Sequence, residues 1–252
     1  MRTPEKIEQF IFPEGDILRF SKDKFLEVLD STVEKVLKDS DQPGILLSGG
    51  VDSSLLVILA VKYYSNIPCF VVGQHLMSPD VQAAMRLAKE KELNLYVHLL
   101  NLEEILSIQQ ELIKCGNSIY LRDDCVLAAL KFASPFVNTI IATDGIDELM
   151  GGYWGHRDRK RFPEVKNAFK YFWDELEEKH LSPMSRSAKL CELDLVFVYL
   201  FSEVIQHLSM IPLEDRIKGG IGKAIWKEIA LRAGVPLWVI ERKKEGFVDA
   251  LK

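Results

Sequence analysis

The stretch Gly44-Ile45-Leu46-Leu47-Ser48-Gly49-Gly50-Val51-Asp52-Ser53-Ser54 constrains this chain more than any other. Gly44 is followed by three apolar residues, too few for a helix, and then by two glycines, a carboxylate and three hydroxyls before Leu55 resumes an apolar pattern. The expected local structure is a buried strand, a tight turn and the first turn of a helix. Gly49 and Gly50 permit positive φ and close backbone approach, and a helix starting near Ser53 presents unpaired N–H groups and the positive end of its dipole. Such a turn binds an anion.

Ser48, Ser53 and Ser54 add hydroxyl donors for phosphate oxygens. Asp52 would repel phosphate unless a cation lay between them, which implies Mg2+. The mononucleotide P-loop, G-x-x-x-x-G-K-[ST], shares the spacing of Gly44 and Gly49, but Gly50 stands where its lysine should be and Val51 where its hydroxyl should be. Ser48 to Ser54 instead resembles the pyrophosphate-binding loop of the ATP pyrophosphatases, which split ATP between the α and β phosphates. The bland alternative is a polar turn without a ligand, yet a random loop rarely sets Asp and three Ser around Gly-Gly at a helix start.

With 252 residues the chain has room for one large α/β domain, alone or with a helical extension. A formal net charge of -5 disfavours nucleic acid as a partner, because no basic excess exists to neutralise phosphates. Cys69, Cys115, Cys125 and Cys191 show no metal spacing and are expected to be reduced thiols of a cytoplasmic protein. The first residues lack a signal-peptide core, and no apolar run approaches membrane-spanning length.

Residues 1–20 read as an arm or hairpin around Pro13-Glu14-Gly15-Asp16. Ser21 caps a helix carrying Phe25, Leu29 and Val33, and the Gly44 strand and the helix through Tyr64 follow. Strands are expected at Ile67 to Val72, Leu95 to Leu100 and Val137 to Ala142. Helices are expected from Pro79 to Lys91, with Val81, Ala84, Met85 and Ala88 inward, from Leu102 to Cys115 and from Cys125 to Phe132. This alternation predicts a doubly wound parallel sheet over 21–153, with ligands outside the carboxyl ends of the strands, and a mostly helical part over 154–252.

A second rim loop runs from Thr143 to Tyr153 and holds Asp144, Asp147 and Glu148, three carboxylates within five positions. They repel one another unless they bind cations or substrate amines, although a helix N-terminus also favours acids. Arg157 to Arg161 is a basic knot, either a solvated surface turn or a contact for substrate or RNA. Pro163 to His180 reads as one amphipathic helix, and Leu193 to Leu208 as deeply packed. Lys223 begins a helix, the wrong end for a cation unless an anion lies near.

Taken together, these motifs resemble the synthetase domain of asparagine synthetases and their relatives the β-lactam synthetases, over roughly Ser21 to Phe247. Phe70-Val71-Val72-Gly73 is similar to the family's "FxVG" strand end and Thr143 to Tyr153 to its "GxGxDExFGGY" loop. Gly222-Lys223 is similar to its late "GK", and Arg242-Lys243-Lys244-Glu245-Gly246-Phe247 to its "R-x-K-x-GF". The resemblance implies a sheet of the adenine nucleotide alpha hydrolase-like type. It also implies an ATP site made by Leu46, Ser48, Gly49, Gly50, Val51, Asp52, Ser53, Ser54, Val72, Gly73, Thr143, Gly145 and Lys244. Asp52 and Asp147 would bind Mg2+, and Lys223, Asp144 and Glu148 would be catalytic. Thr143 replaces the family's first glycine, Asp144 its glutamate, and the "RxPxLD" segment at the aspartate end of the site looks degraded to Lys189-Leu190-Cys191-Glu192-Leu193-Asp194.

The implied activity is adenylation of a carboxylate, aspartate by default, followed by amide formation with ammonia or another amine. Full-length members carry an N-terminal glutaminase domain that begins with a catalytic cysteine. None of the four cysteines here fits that place, so free ammonia or a separate glutaminase subunit is the expected nitrogen source. A homo-oligomer is left open. The alternatives are a tRNA-modifying adenylating enzyme, which would want a basic platform or catalytic cysteines, and a nucleotide-binding regulatory protein without turnover.

Overall fold

The computed structural model of the chain describes residues 20–114, 116 and 121–242. The arm read over residues 1–20 lies outside these except for Phe20, and so do Cys115 and Lys244. Ser21 caps α1 (Lys22–Asp39) by accepting from the Lys24 N–H. Then follow β1 (Pro43–Leu46), α2 (Val51–Ala60), β2 (Cys69–Gly73), α3 (Pro79–Lys91), β3 (Leu95–Leu99), α4 (Leu102–Lys114), α5 (Leu121–Ala133) and β4 (Thr139–Ala142). Beyond β4 come α6 (Ile146–Met150), a 3-10 turn (Trp154–Arg157), α7 (Val165–Leu176), α8 (Ser182–Leu190), β5 (Asp194–Phe197), α9 (Ser202–Ser209) and α10 (Leu213–Arg216). A short hairpin of β6 (Ile217–Lys218) and β7 (Ile221–Gly222), then α11 (Ala224–Arg232) and α12 (Leu237–Glu241), complete the described chain.

The five-stranded sheet has the order β3-β2-β1-β4-β5, every pair parallel, with Ile45 opposite both Cys69 and Ile141. Alternation across β2 explains why its residues are all apolar: Cys69 and Val71 belong to the core with α1, α2 and α11, while Phe70 and Val72 face the side of α4, α5 and α8. The strand order reverses between β1 and β4, which places the loops after both at the crevice where ligands of such sheets bind. Among the described residues no helix is long and apolar enough to cross a membrane.

Three expectations need correction. The stretch read as helical from residue 154 contains β5, which extends the core sheet beside β4. The helix read from Pro163 to His180 ends at Leu176 and passes through a π turn, Glu177–Leu181, into α8. Met85 faces solvent at 39% exposure, because α3 buries Val81, Ala84 and Ala88 on the opposite face.

Candidate active site

The turn after β1 is held by its own hydroxyls. The Gly50 N–H donates to Ser48 Oγ at 3.3 Å, Ser53 Oγ lies 3.2 Å from Ser48 Oγ, and Ser53 donates to the Gly50 carbonyl at 3.3 Å. Gly49 has φ +67°, and a Cβ there would stand 2.5 Å from Ala83 Cβ, so only glycine lets the turn lie against α3. Gly50 caps α2 with no side-chain hydrogen bond, and the first turn of such a helix can receive an anion. Ser54 is fully buried, and its hydroxyl has no hydrogen-bond partner among the described residues.

Across the crevice, α6 starts after Gly145 and carries Asp147 and Glu148 in its first turn. Lys223 joins the two rims. Its Nζ lies 2.7 Å from Asp52 Oδ2 and 2.7 Å from Asp147 Oδ1, with the lysine side chain 5% exposed. Lys223 caps α11 in the left-handed region at φ 58°, a conformation strained for a side-chain-bearing residue, and its N–H donates to the Met150 carbonyl at 3.0 Å. The anion that a lysine at a helix start requires is thus a pair of carboxylates. Gly152 makes room for them: a Cβ there would fall 1.7 Å from Asp147 Oδ1 and 2.6 Å from Lys223 Cε.

Glu148 points into the protein and is 2% exposed, its Oε1 accepting from the Tyr153 hydroxyl at 2.8 Å with His180 Nε2 at 3.9 Å. Burial, and then the Asp147 charge, push its carboxyl up to about 7; burial and the Glu148 charge raise the Tyr153 phenol. Asp144 is only half-buried, on the same rim loop. Leu46, Val72 and Gly73 end β1 and β2 at the carboxyl edge of the sheet, beside the Ser48 to Ser54 turn, and Thr143 and Gly145 flank it from β4. The segment Lys189 to Asp194 does not reach this crevice. It leads into β5, with Asp194 the first residue of the strand, and so lies at the opposite, amino edge of the sheet, whereas Val198, Tyr199 and Leu200 follow the strand at the rim.

Several contacts escaped the sequence reading. Trp226 Nε1 donates to Asp52 Oδ1 at 2.9 Å, and the Tyr199 hydroxyl donates to the Asp52 main-chain oxygen at 2.8 Å. Arg242 donates to the Ser48 carbonyl at 3.3 Å and pairs with Asp80 at the start of α3. Arg216, fully buried, donates to the carbonyls of Leu149, Leu208 and Ile211 and so fixes the end of α6. Arg242 had a signal as the first residue of the "R-x-K-x-GF" match, and Trp226 had one in its place a turn along the helix from Lys223. The basic knot is a surface turn, with the Lys160 and Arg161 N–H groups donating to Asp158 Oδ1.

The donor set fits Mg2+. Two carboxylates from opposite rims converge on one cationic atom, and Mg2+ in nucleotide sites takes one or two protein carboxylates with phosphate and water completing its shell. Among the described residues there is no group of three or more His, Cys, Asp or Glu that could cage a metal.

Residues 24–199 match the family described as Asparagine synthase. A Methanocaldococcus jannaschii protein described as a glutamine-hydrolyzing asparagine synthetase is 28% identical over 221 residues, which cover 79% of this chain and 40% of that protein. The Homo sapiens glutamine-hydrolyzing asparagine synthetase is 26% identical over 259 residues, covering 96% of this chain and 45% of its own length. The chain therefore spans less than half the length of these curated relatives. Among solved structures, the NH3-dependent NAD synthetase of Campylobacter jejuni aligns with a TM-score of 0.39 at 17% identity, over 66% of this chain and 77% of that one.

Proposed function

The chain belongs to the asparagine synthase family, and from that premise we propose that it is an ATP-dependent ligase that adenylates a carboxylate and converts it to an amide. The observation that carries this reading is the Lys223 ammonium shared by Asp52 and Asp147 beside an uncapped helix start.

A carboxylate does not expel hydroxide at neutral pH, so amide formation needs a better leaving group. In the proposed first step a carboxylate oxygen attacks the α phosphorus of ATP, the bond to the bridging oxygen of the β phosphate breaks, and pyrophosphate leaves with the electron pair. The amides of the Ser48 to Ser54 turn hold the phosphates, and the edges of β1 and β2 at Leu46, Val72 and Gly73 receive the adenine. Lys223 stabilises the charge that develops on the departing pyrophosphate. Mg2+, held by Asp52 and Asp147, would neutralise further charge on the same oxygens. In the second step an amine lone pair attacks the acyl carbon, the bond from that carbon to the phosphate oxygen breaks, AMP leaves with the electron pair, and the nitrogen gives up a proton to water. Asp144, a half-buried carboxylate of the same rim loop, is assigned to the acceptor or amine, while Glu148 supports the loop from within.

Aspartate and ammonia are the default substrates, with ammonia taken from solution or from a separate glutaminase subunit. The test is release of pyrophosphate from Mg·ATP across a panel of amino and carboxylic acids with ammonium present. Release dependent on one acid, with its amide as product, is expected. Failure of every acid, with intact ATP binding, would sink the ligase reading.

A further inference from the structure

Trp226 is a fully buried indole on the first turn of α11, three residues after Lys223. Its N–H takes Asp52 Oδ1 at 2.9 Å, while Lys223 takes Oδ2 of the same carboxylate at 2.7 Å. Tyr199 stands edge-on to the indole, ring centroids 5.0 Å apart and planes at 86°, and its hydroxyl holds the Asp52 main-chain oxygen. Phe25 of α1 also packs on the indole, at 6.1 Å between centroids. Asp52 is therefore fixed at one side-chain oxygen and at its backbone, and its second oxygen alone faces the cation.

We infer that Trp226 is a positioning residue that makes Asp52 a one-oxygen ligand and thereby sets the metal preference of the site. The inference rests on the reading of Asp52 as a ligand of Mg·ATP. A buried indole N–H needs an acceptor, but any main-chain carbonyl would serve. Here it is spent on a carboxylate whose other oxygen already meets a cation. Mg2+ is small, demands near-octahedral geometry and takes carboxylates through single oxygens, whereas Ca2+ is larger, more flexible and takes them through one or both. Occupying Oδ1 withholds from Ca2+ the two-oxygen grip, while Oδ2, which meets Lys223 with one lone pair, keeps the other for Mg2+.

The experiment replaces Trp226 with β-(3-benzothienyl)alanine, which keeps the ring volume and exchanges the N–H for sulphur, and accompanies it with Trp226→Phe and Tyr199→Phe. Circular dichroism establishes folding. Binding is read as thermal stabilisation by α,β-methylene ATP during titration with Mg2+ or with Ca2+. In the isostere the Mg2+ midpoint should rise roughly tenfold, the scale of one hydrogen bond to a charged group, while the Ca2+ midpoint stays put or falls. Tyr199→Phe should move the Mg2+ midpoint in the same direction by less. Unchanged midpoints, or equal rises for both ions, would overturn the inference, since mere loss of packing does not tell the ions apart. Asp52→Asn separates the two levels. A wild-type Mg2+ midpoint in Asp52→Asn removes the metal reading of Asp52 and the inference with it, whereas a defective Asp52→Asn beside an unaltered isostere overturns the inference alone.

Discussion

Lys223 and Asp52, 171 positions apart in sequence, meet at 2.7 Å inside the crevice between β1 and β4. The same ammonium reaches Asp147, so one cation compensates two carboxylates that would otherwise face each other in a poorly solvated place.

Lys223→Ala should therefore have two separable effects. Without ligand, removing the cation from a buried ion pair is expected to lower stability by about 3 kcal/mol, and millimolar Mg2+ alone should restore part of the loss. At saturating Mg·ATP, turnover should fall by a factor on the order of 10^2 to 10^3, the scale for losing one charge-stabilising donor. Thermal melts with and without Mg2+ check the first, and pyrophosphate release the second. A collapse of ATP affinity with turnover preserved at saturation would make Lys223 a ground-state phosphate ligand instead.

Asp52→Asn and Asp147→Asn should each abolish Mg2+-dependent pyrophosphate release while the fold survives. Asp52 is 8% exposed, and an amide keeps one acceptor oxygen but sets its NH2 against the other donor, so either Trp226 or Lys223 loses its Asp52 bond while Asp147 still holds the ammonium. Pyrophosphate release at the wild-type rate in both variants would contradict the assignment.

Gly152→Ala tests the geometry rather than the charge. The added methyl would occupy the position of Asp147 Oδ1, 1.7 Å away, so the carboxylate must swing off Lys223. Overpacking of this kind costs about 1–3 kcal/mol. The expected outcome is a folded protein with a Mg2+ requirement resembling that of Asp147→Asn. A wild-type requirement would mean that Asp147 reaches the cation from a second rotamer.

The turn at Ser48 to Ser54 was legible because its determinants are local: glycines, hydroxyls and a strand-to-helix change within a few residues. The same holds for α3, whose start is marked by Pro79 and whose bounds were read correctly. Lys223 announced that it needed an anion, but not which one, since the answer comes from elements far apart in the chain. The strand β5 was hidden because its four residues run without a turn signal into the buried Val198, Tyr199 and Leu200. Missing that strand also left Lys189 to Asp194 matched to the end of the site and concealed Tyr199 as a partner of Asp52. The inward turn of Glu148 depended on Tyr153, and the periodicity of a five-residue helix is too short to tell its faces apart.

The last prediction concerns acid stability. His156 is fully buried, with Tyr153 stacked at 5.7 Å and Phe172 and Phe169 at 4.4 and 4.7 Å between ring centroids. Burial pulls its imidazole down from the usual 6.5 to about 4. The unfolded chain accordingly takes up a proton near 6.5 that the folded chain refuses until about 4. The stability associated with neutral His156 is complete above the unfolded value and is lost as the pH falls through that window, by about 3 kcal/mol in all. His156→Phe keeps an aromatic ring in the stack and removes the titration. Urea midpoints measured at pH 7.5 and pH 4.5 should drop steeply for the wild type and less steeply for the variant, with the difference between the two slopes isolating this residue from the carboxylates that both proteins share. Equal slopes would mean that His156 is protonated in the folded state, or that its cluster opens before it titrates.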